Sequence, residues 1–379
     1  MVGKSYASKQ YERELPLRVV LFFLHISTFC DNFIVYNHIM KRKGNLYNNI
    51  LDFNNILAAY NEVTKNTRNP RKVMLLKEYK AIYVYKTYNI LSNKSYHPGP
   101  YNVFTIYEPK ERRIVSQNIQ DKIVNHLVAR FILYPALIPR LINENIASRP
   151  NLGTRRGYEL HKKFRMICNA KFKDYYILKC DVRKFFASID HVILKQKLER
   201  VIKDKDALNI LSKIIDNDEQ GLSIGSMTSQ TFAIFYLNDL DHYIKEFLKI
   251  KYYIRYQDDF LLFHPSKDYL KYCLSEIKKF LAKEKLYLND KTRIYKNTDN
   301  FIFLGRNTKN IPAKYRDVKR KINKLYYMYK QGYIELHSIT SSLICYNSMY
   351  NHFLDTTKRK ELIFPLKIML EQAPVRKSY

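Results

Sequence analysis

Two adjacent acids, Asp258 and Asp259, stand between the apolar, β-favouring arms Lys251-Tyr-Tyr-Ile-Arg-Tyr256 and Phe260-Leu-Leu-Phe263. Side-by-side carboxylates repel and raise each other's pKa unless a cation sits between them. The pair is therefore either a solvated hairpin turn or half of a metal site. A third acid, Asp181, closes another apolar run, Tyr175-Tyr-Ile-Leu-Lys-Cys-Asp181. If the two runs are neighbours in one sheet, three carboxylates meet at one sheet end, which is the ligand set for two Mg²⁺ ions. Such ions, ~3.5–4 Å apart, stabilise the attacking and leaving oxygens of an in-line phosphoryl displacement.

Several elements must hold these acids. The arms around Gln257-Asp258-Asp259 read as a hairpin with its turn at the acids. Helical spacing marks Asn49–Tyr60, Gln120–Leu133, Ile189–Val201, a helix from near Ser229 through Leu237, and Lys267–Lys283. The stretch Lys80–Leu91 is open between helix and strand. Val103–Tyr107 reads as a strand followed by a basic turn, Lys110-Glu-Arg-Arg113, and Phe301-Ile-Phe-Leu304 is strand-like. After Pro312 the chain reads as helix only, with Ile322, Leu325 and Tyr329 at helical spacing and basic residues between them. The pattern is a mixed α+β region followed by an all-helical end.

The chain has 379 residues, enough for two or three domains, and its 46% hydrophobic content supports a real core. Only 9 Gly and 12 Pro exclude a fibrous or linker-dominated chain. Against 35 Asp+Glu stand 66 Lys+Arg, a formal net charge of +31 that points to a polyanionic partner, because neutralised phosphates release condensed counterions. The 33 Tyr and 21 Phe among these basic residues suit base stacking as well as core packing. Cys30, Cys168, Cys180, Cys273 and Cys345 are scattered, with neither zinc-site spacing nor a disulfide pattern, which fits a reducing, cytoplasmic setting. The apolar segment Val19–Phe29 is too short to span a bilayer and reads as a buried or partner-facing helix, so no membrane role is expected.

The motifs now resemble a family. Tyr256-Gln-Asp-Asp259 resembles the Tyr-x-Asp-Asp box of reverse transcriptases, and Asp181-Val-Arg-Lys-Phe-Phe186 with Ala187-Ser-Ile-Asp-His191 resembles their first catalytic motif. Ile224-Gly-Ser-Met-Thr-Ser-Gln230 is similar to the Gly-x-x-x-Ser-Gln loop before the nucleotide-site helix. Leu286-Tyr-Leu-Asn-Asp-Lys291 and Phe303-Leu-Gly305 resemble the next two motifs, and the similarity runs in order from roughly Met40 to Phe353. Within the family the closest resemblance is to bacterial enzymes of diversity-generating retroelements and of phage defence. Ile146-Ala-Ser-Arg-Pro-Asn-Leu-Gly-Thr154 is a loosened version of the family's Arg- and Gly-rich segment, and residues 1–39 have no placed counterpart.

The resemblance implies a right-hand polymerase: an N-terminal extension at 1–39, fingers at 40–170, palm at 171–312 and a C-terminal all-helical thumb at 313–379. It implies that Asp181, Asp258 and Asp259, with the Val182 carbonyl, hold two Mg²⁺. Phe186 would be a steric gate against the ribose 2′-hydroxyl. Lys110, Arg112, Arg113 and Arg149 are candidates to clamp the triphosphate, Gly225 to allow close approach and Gln230 to touch nucleotide or template. Ile224 stands where many relatives carry Gln, a choice that would relax fidelity. Lys291 is a candidate general acid for pyrophosphate departure. Tyr256, Phe303, Leu304, Gly305, Lys319, Arg320 and Lys324 are primer or template contacts, while Asp190, His191 and His242 suit capping or packing. The implied substrates are deoxynucleoside triphosphates and a dedicated template or non-coding RNA, and the product is DNA or an RNA–DNA hybrid. Antiphage defence is favoured over diversification. Untemplated or protein-primed synthesis, and a basic RNA-binding protein with a vestigial palm, stay open, as do an accessory protein, a second polymerase and a second copy of this chain as partners.

Overall fold

The computed structural model describes residues 41–67, 69–106, 112–307, 315–342 and Thr357. The segment Val19–Phe29, Lys110 and most of the chain beyond 342 lie outside the described residues. At the centre is a four-stranded antiparallel sheet in the order β4 (Tyr252–Tyr256), β5 (Asp259–His264), β3 (Tyr176–Asp181), β6 (Arg293–Lys296). Ahead of it in sequence lies a separate two-stranded hairpin, β1 (Asn102–Ile106) with β2 (Arg112–Ser116). A small third hairpin pairs β7 (Ile302–Phe303) with β8 (Arg306–Asn307).

Alternation along the strands divides the core in two. Leu178, Cys180, Phe260 and Leu262 face a large cluster that includes Phe232, Leu270, Ile277 and Leu281 from the helices Met227–Tyr236 and Lys267–Lys283. Tyr175, Ile177, Leu261 and Phe263 face a second cluster with Leu160, Phe164 and Cys168 of the helix Thr154–Lys171, and with Phe301 and Phe303. Because side chains alternate across a strand, a sheet covered on both faces reads as an unbroken apolar run. That is why the β4 and β5 arms lack polar spacing.

Helix starts follow cap chemistry. Asp52 caps Phe53–Asn66 through the Asn55 amide at 3.0 Å, and Ser266 caps Lys267–Lys283 through Tyr269 at 3.1 Å. Asp204 caps Lys205–Ile215 and also accepts the Leu46 and Tyr47 amides at 2.7 and 2.9 Å, tying the start of the described chain to this helix. The open stretch at Lys80 resolves as the helix Lys80–Ser92, because Tyr83, Thr87 and Leu91 recur every fourth residue on the packed face. Gln120–Leu133 is a helix, Ile119–Val128, continued by a π-helical turn, Ala129–Leu133.

Two expectations need correction. Arg112 and Arg113 do not lie in a turn: they begin β2, because backbone pairing places them opposite Ile106 and Thr105. The helix near Ser229 starts earlier, at Met227 with Ser226 before it, so the Gln230 amide is spent on the Ser226 carbonyl at 3.2 Å and is no free helix-end donor. After the sheet, Tyr315–Lys330 is a helix whose Ile322 and Leu325 are buried, and 336–342 are helical. Among the described residues no helix is long and apolar enough to cross a membrane.

Candidate active site

Strand register brings the acids together. Asp181, the last residue of β3, pairs directly with Asp259, the first of β5, and Asp258 sits in the two-residue turn that joins β4 to β5. The Val182 amide donates to the Asp258 carbonyl at 3.2 Å, so the end of β3 is clipped to the turn itself. From the other side, Asn289 donates to the Asp181 carbonyl at 2.7 Å and Arg183 donates to that of Tyr287 at 2.8 Å. The turn closes because Gln257 takes a left-handed backbone, φ 56°.

Behind the turn lies a buried ion pair. Arg255, fully buried within β4, donates from Nε and Nη2 to the two carboxylate oxygens of Asp241 at 2.6 Å each. The same guanidinium reaches the Ile234 carbonyl at 2.8 Å and, through Nη1, the Gln257 carbonyl in the turn at 2.9 Å. Tyr253 and Asn145 also donate to Asp241, at 2.7 and 3.3 Å. Each charge of the pair is thereby saturated, which is the condition for keeping charges in a low-dielectric interior.

The site carries surplus negative charge. Burial, and then the neighbouring Asp181 and Asp259, push the Asp258 carboxyl up to about 6. Burial likewise raises Asp259, against the pull of Lys179, whose ammonium lies 2.5 Å from its Oδ1. An all-oxygen donor set of carboxylates suits a hard divalent cation, and such a cation would relieve this repulsion. The carboxylates nonetheless do not stand as a finished cage of three ligands among the described residues. Lys179 holds Asp259, and a cation there competes with it.

Other expected residues fall around this centre. Phe186 is half-buried in the short helix Phe185–Ser188 and meets Phe185 edge-on at 5.8 Å. Tyr256, at the end of β4, packs between both core clusters. A cavity of about 390 Å³ is lined by Ser148, Arg149, Gly225, Met227 and Gln230, among others. Arg149 Nη1 is engaged by the Ile142 and Asn145 carbonyls, both at 2.8 Å, so it clasps its own loop as well as lining the cavity. Gly225 adopts φ 127°, and an added Cβ would stand 2.6 Å from the Val115 carbonyl oxygen. The close approach it permits is to β2. Lys291 is exposed in the turn after Asn289.

The β7–β8 turn places both Leu304 and Gly305 at positive φ, 51° and 79°. Tyr158 donates to the Leu304 carbonyl at 2.5 Å, while Phe303 is buried against His161, so its ring supports the hairpin from below. Lys319, Arg320 and Lys324 are exposed on the helix Tyr315–Lys330. Asp190 caps His191–Val201 through Ile193 at 3.0 Å, and His191 and His242 bond backbone carbonyls of Gly221 and Arg140. Lys179, Ser148 and the Arg255–Asp241 pair were missed by sequence reasoning. For Arg255 and Lys179 the signal was present: a cation inside an apolar strand requires a buried or half-buried partner.

The family model described as reverse transcriptase (RNA-dependent DNA polymerase) matches residues 106–308. No curated protein gives a significant match. Among solved structures, the chain is similar to apo telomerase from Candida tropicalis truncated from the C-terminal domain, with TM-score 0.44 and 14% identity over 57% of this chain. It is also similar to telomerase from Candida albicans in complex with a TWJ fragment of telomeric RNA, with TM-score 0.43 and 12% identity over 76% of this chain. The chain spans 56% and 64% of the length of those two structures.

Proposed function

Since this chain belongs to the reverse transcriptase family, we propose that it is an RNA-directed DNA polymerase that joins deoxynucleoside triphosphates to a primer end. The observation that carries this reading is the pairing of Asp181 with Asp259 beside the Asp258 turn, which gathers three carboxylates at one sheet end. Asp181, Asp258 and Asp259, with the Val182 carbonyl, would hold two Mg²⁺, which when bound supply charge neutralisation and an activated primer hydroxyl.

The chain's own residues do the rest. The Asp181–Asp259 register and the Arg255 bond to the turn hold the acids beside which the primer end would lie. Gln230 and Arg149 line the cavity that receives the nucleotide, and Phe186 fills the volume a ribose 2′-hydroxyl needs. Lys110, Arg112 and Arg113 clamp the triphosphate, the two arginines from the start of β2, where a guanidinium fork suits phosphate oxygens. Lys291 gives a proton to the departing pyrophosphate. Tyr256, the Phe303-Leu304-Gly305 hairpin and the basic face with Lys319, Arg320 and Lys324 hold primer and template, the last as part of a helical thumb at 313–379.

The template is a dedicated structured RNA, since backbone contacts from a +31 chain give affinity without sequence information. The loosened 146–154 segment and the unplaced residues 1–39 favour a specialised antiphage role over diversification. The described cysteines, Cys168, Cys180 and Cys273, are buried thiols, which suits the cytoplasm. Sequencing the nucleic acid that copurifies with the protein tests this reading against an Asp258→Ala, Asp259→Ala double variant. DNA complementary to one RNA should accompany the wild type only. Equal DNA on both proteins, or random cellular RNA alone, contradicts it.

A further inference from the structure

One hydroxyl joins the metal-site turn to the nucleotide cavity. Gln257, the turn residue at φ 56°, donates from Nε2 to Ser148 Oγ at 2.7 Å. Ser148 Oγ in turn donates to Gln230 Oε1 at 3.2 Å. Ser148 is itself held at φ 49°, a left-handed backbone that non-glycine residues rarely adopt. Its placement is enforced from both sides. Ile146 donates to the Arg255 carbonyl at 3.1 Å and Arg255 donates back to Glu144 at 3.0 Å, so this segment runs along β4. After it, Arg149 clasps the Ile142 and Asn145 carbonyls. The hydroxyl is thus held beside the turn by an ordered loop.

The direction of the chain has a chemical consequence. Gln257 has given Ser148 a proton to accept, so the Ser148 hydroxyl points its own proton at Gln230. That fixes the Gln230 carbonyl toward Ser148 and turns its NH₂ away, toward the cavity that Gln230 helps to line. Resting on the polymerase reading, we propose that Ser148 is a positioning residue: it sets Gln230 as a hydrogen-bond donor to an acceptor atom of the incoming deoxynucleotide and ties that orientation to the Asp258-bearing turn. Without the hydroxyl the Gln230 amide rotates freely, and the cavity loses its fixed donor.

Steady-state primer extension on an RNA template tests this with Ser148→Ala, Gln230→Ala and the double variant. Ser148→Ala should raise KM for the nucleotide about fivefold, the worth of one hydrogen bond, and leave kcat within about twofold. In the Gln230→Ala background the same change should cost nothing more, because Ser148 acts through Gln230. Ser148→Gly relaxes the left-handed backbone but also lacks the hydroxyl, so it should match Ser148→Ala. Additive effects, a loss confined to kcat, or a wild-type-like Gly or Ala variant each overturn the relay while leaving the polymerase reading intact. A wild type that extends no primer overturns both.

Discussion

The hairpins β4–β5 and β1–β2 carry the acids and two arginines of the proposed site, and they are held in opposite ways. The β4–β5 hairpin is buried on both faces, shares an edge with β3, and has a fully buried ion pair bonded to its turn. The β1–β2 hairpin is a sheet of two strands with Val103 and Phe104 about half exposed, and its β2 strand meets the loop before Met227–Tyr236 where Val115 donates to the Ile224 carbonyl at 3.3 Å. The difference separates two tasks. Under the proposed function, carboxylates that hold cations need fixed spacing and so are built into strand register, whereas cations that clamp the phosphates of an arriving substrate would stand on the more exposed hairpin.

The comparison breaks most visibly at the buried pair. Asp241→Asn should cost about 3–5 kcal/mol in denaturant unfolding, because it strands the Arg255 charge in the interior. Replacing both partners with apolar residues, as Asp241→Leu with Arg255→Met, should recover much of that stability. A loss below about 1 kcal/mol for Asp241→Asn would show that the β4–β5 hairpin is no more firmly held than β1–β2.

The next effect is electrostatic. Folding raises the Asp258 pKa to about 6, so the native state binds the extra proton and the unfolded state does not. For a raised carboxyl, stability is greatest below the unfolded pKa and is lost as pH rises through the folded one. Metal-free protein should therefore lose roughly 2–3 kcal/mol between about pH 4 and pH 7 from this group. Melting curves across that range should flatten in Asp258→Asn, and an unchanged pH profile in that variant contradicts the assignment.

Phe186→Ala sharpens the contrast on the substrate side: discrimination against ribonucleotides should fall about tenfold or more in competition assays. Unchanged discrimination rejects the gate. Smallest is Ile224→Gln, in the loop whose carbonyl accepts from Val115 of β2, where one added hydrogen-bonding group should lower misincorporation by about threefold. No change in error rate removes Ile224 from fidelity.

The same contrast explains what could be read from the residues alone. The acids, their strands, the hairpin and the helix Lys267–Lys283 were legible, because each rests on local spacing and on a motif confined to a few residues. The helices Pro70–Glu78 and Thr154–Lys171 and the edge strand β6 were not set out, as few of their residues are buried and their packing faces are defined by distant partners; Lys205–Ile215 was missed although Ala207, Ile210, Leu211 and Ile214 recur at helical spacing behind the Asp204 cap. Lys179 and Arg255 were visible as cations in apolar runs, yet their partners Asp259 and Asp241 follow from register and helix placement. Ser148 had no signal: a serine in a loop becomes informative only when Gln257 and Gln230 are seen on either side of it.

The central claim is that β3 and the β4–β5 turn jointly hold divalent cations, and calorimetric titration of purified protein with Mg²⁺ tests it most directly. Wild type should bind Mg²⁺, and Asp181→Asn and Asp258→Asn should each weaken that binding by at least about tenfold. Equal affinity in the wild type and both variants would contradict the account, because the paired carboxylates would then not be what the cation meets.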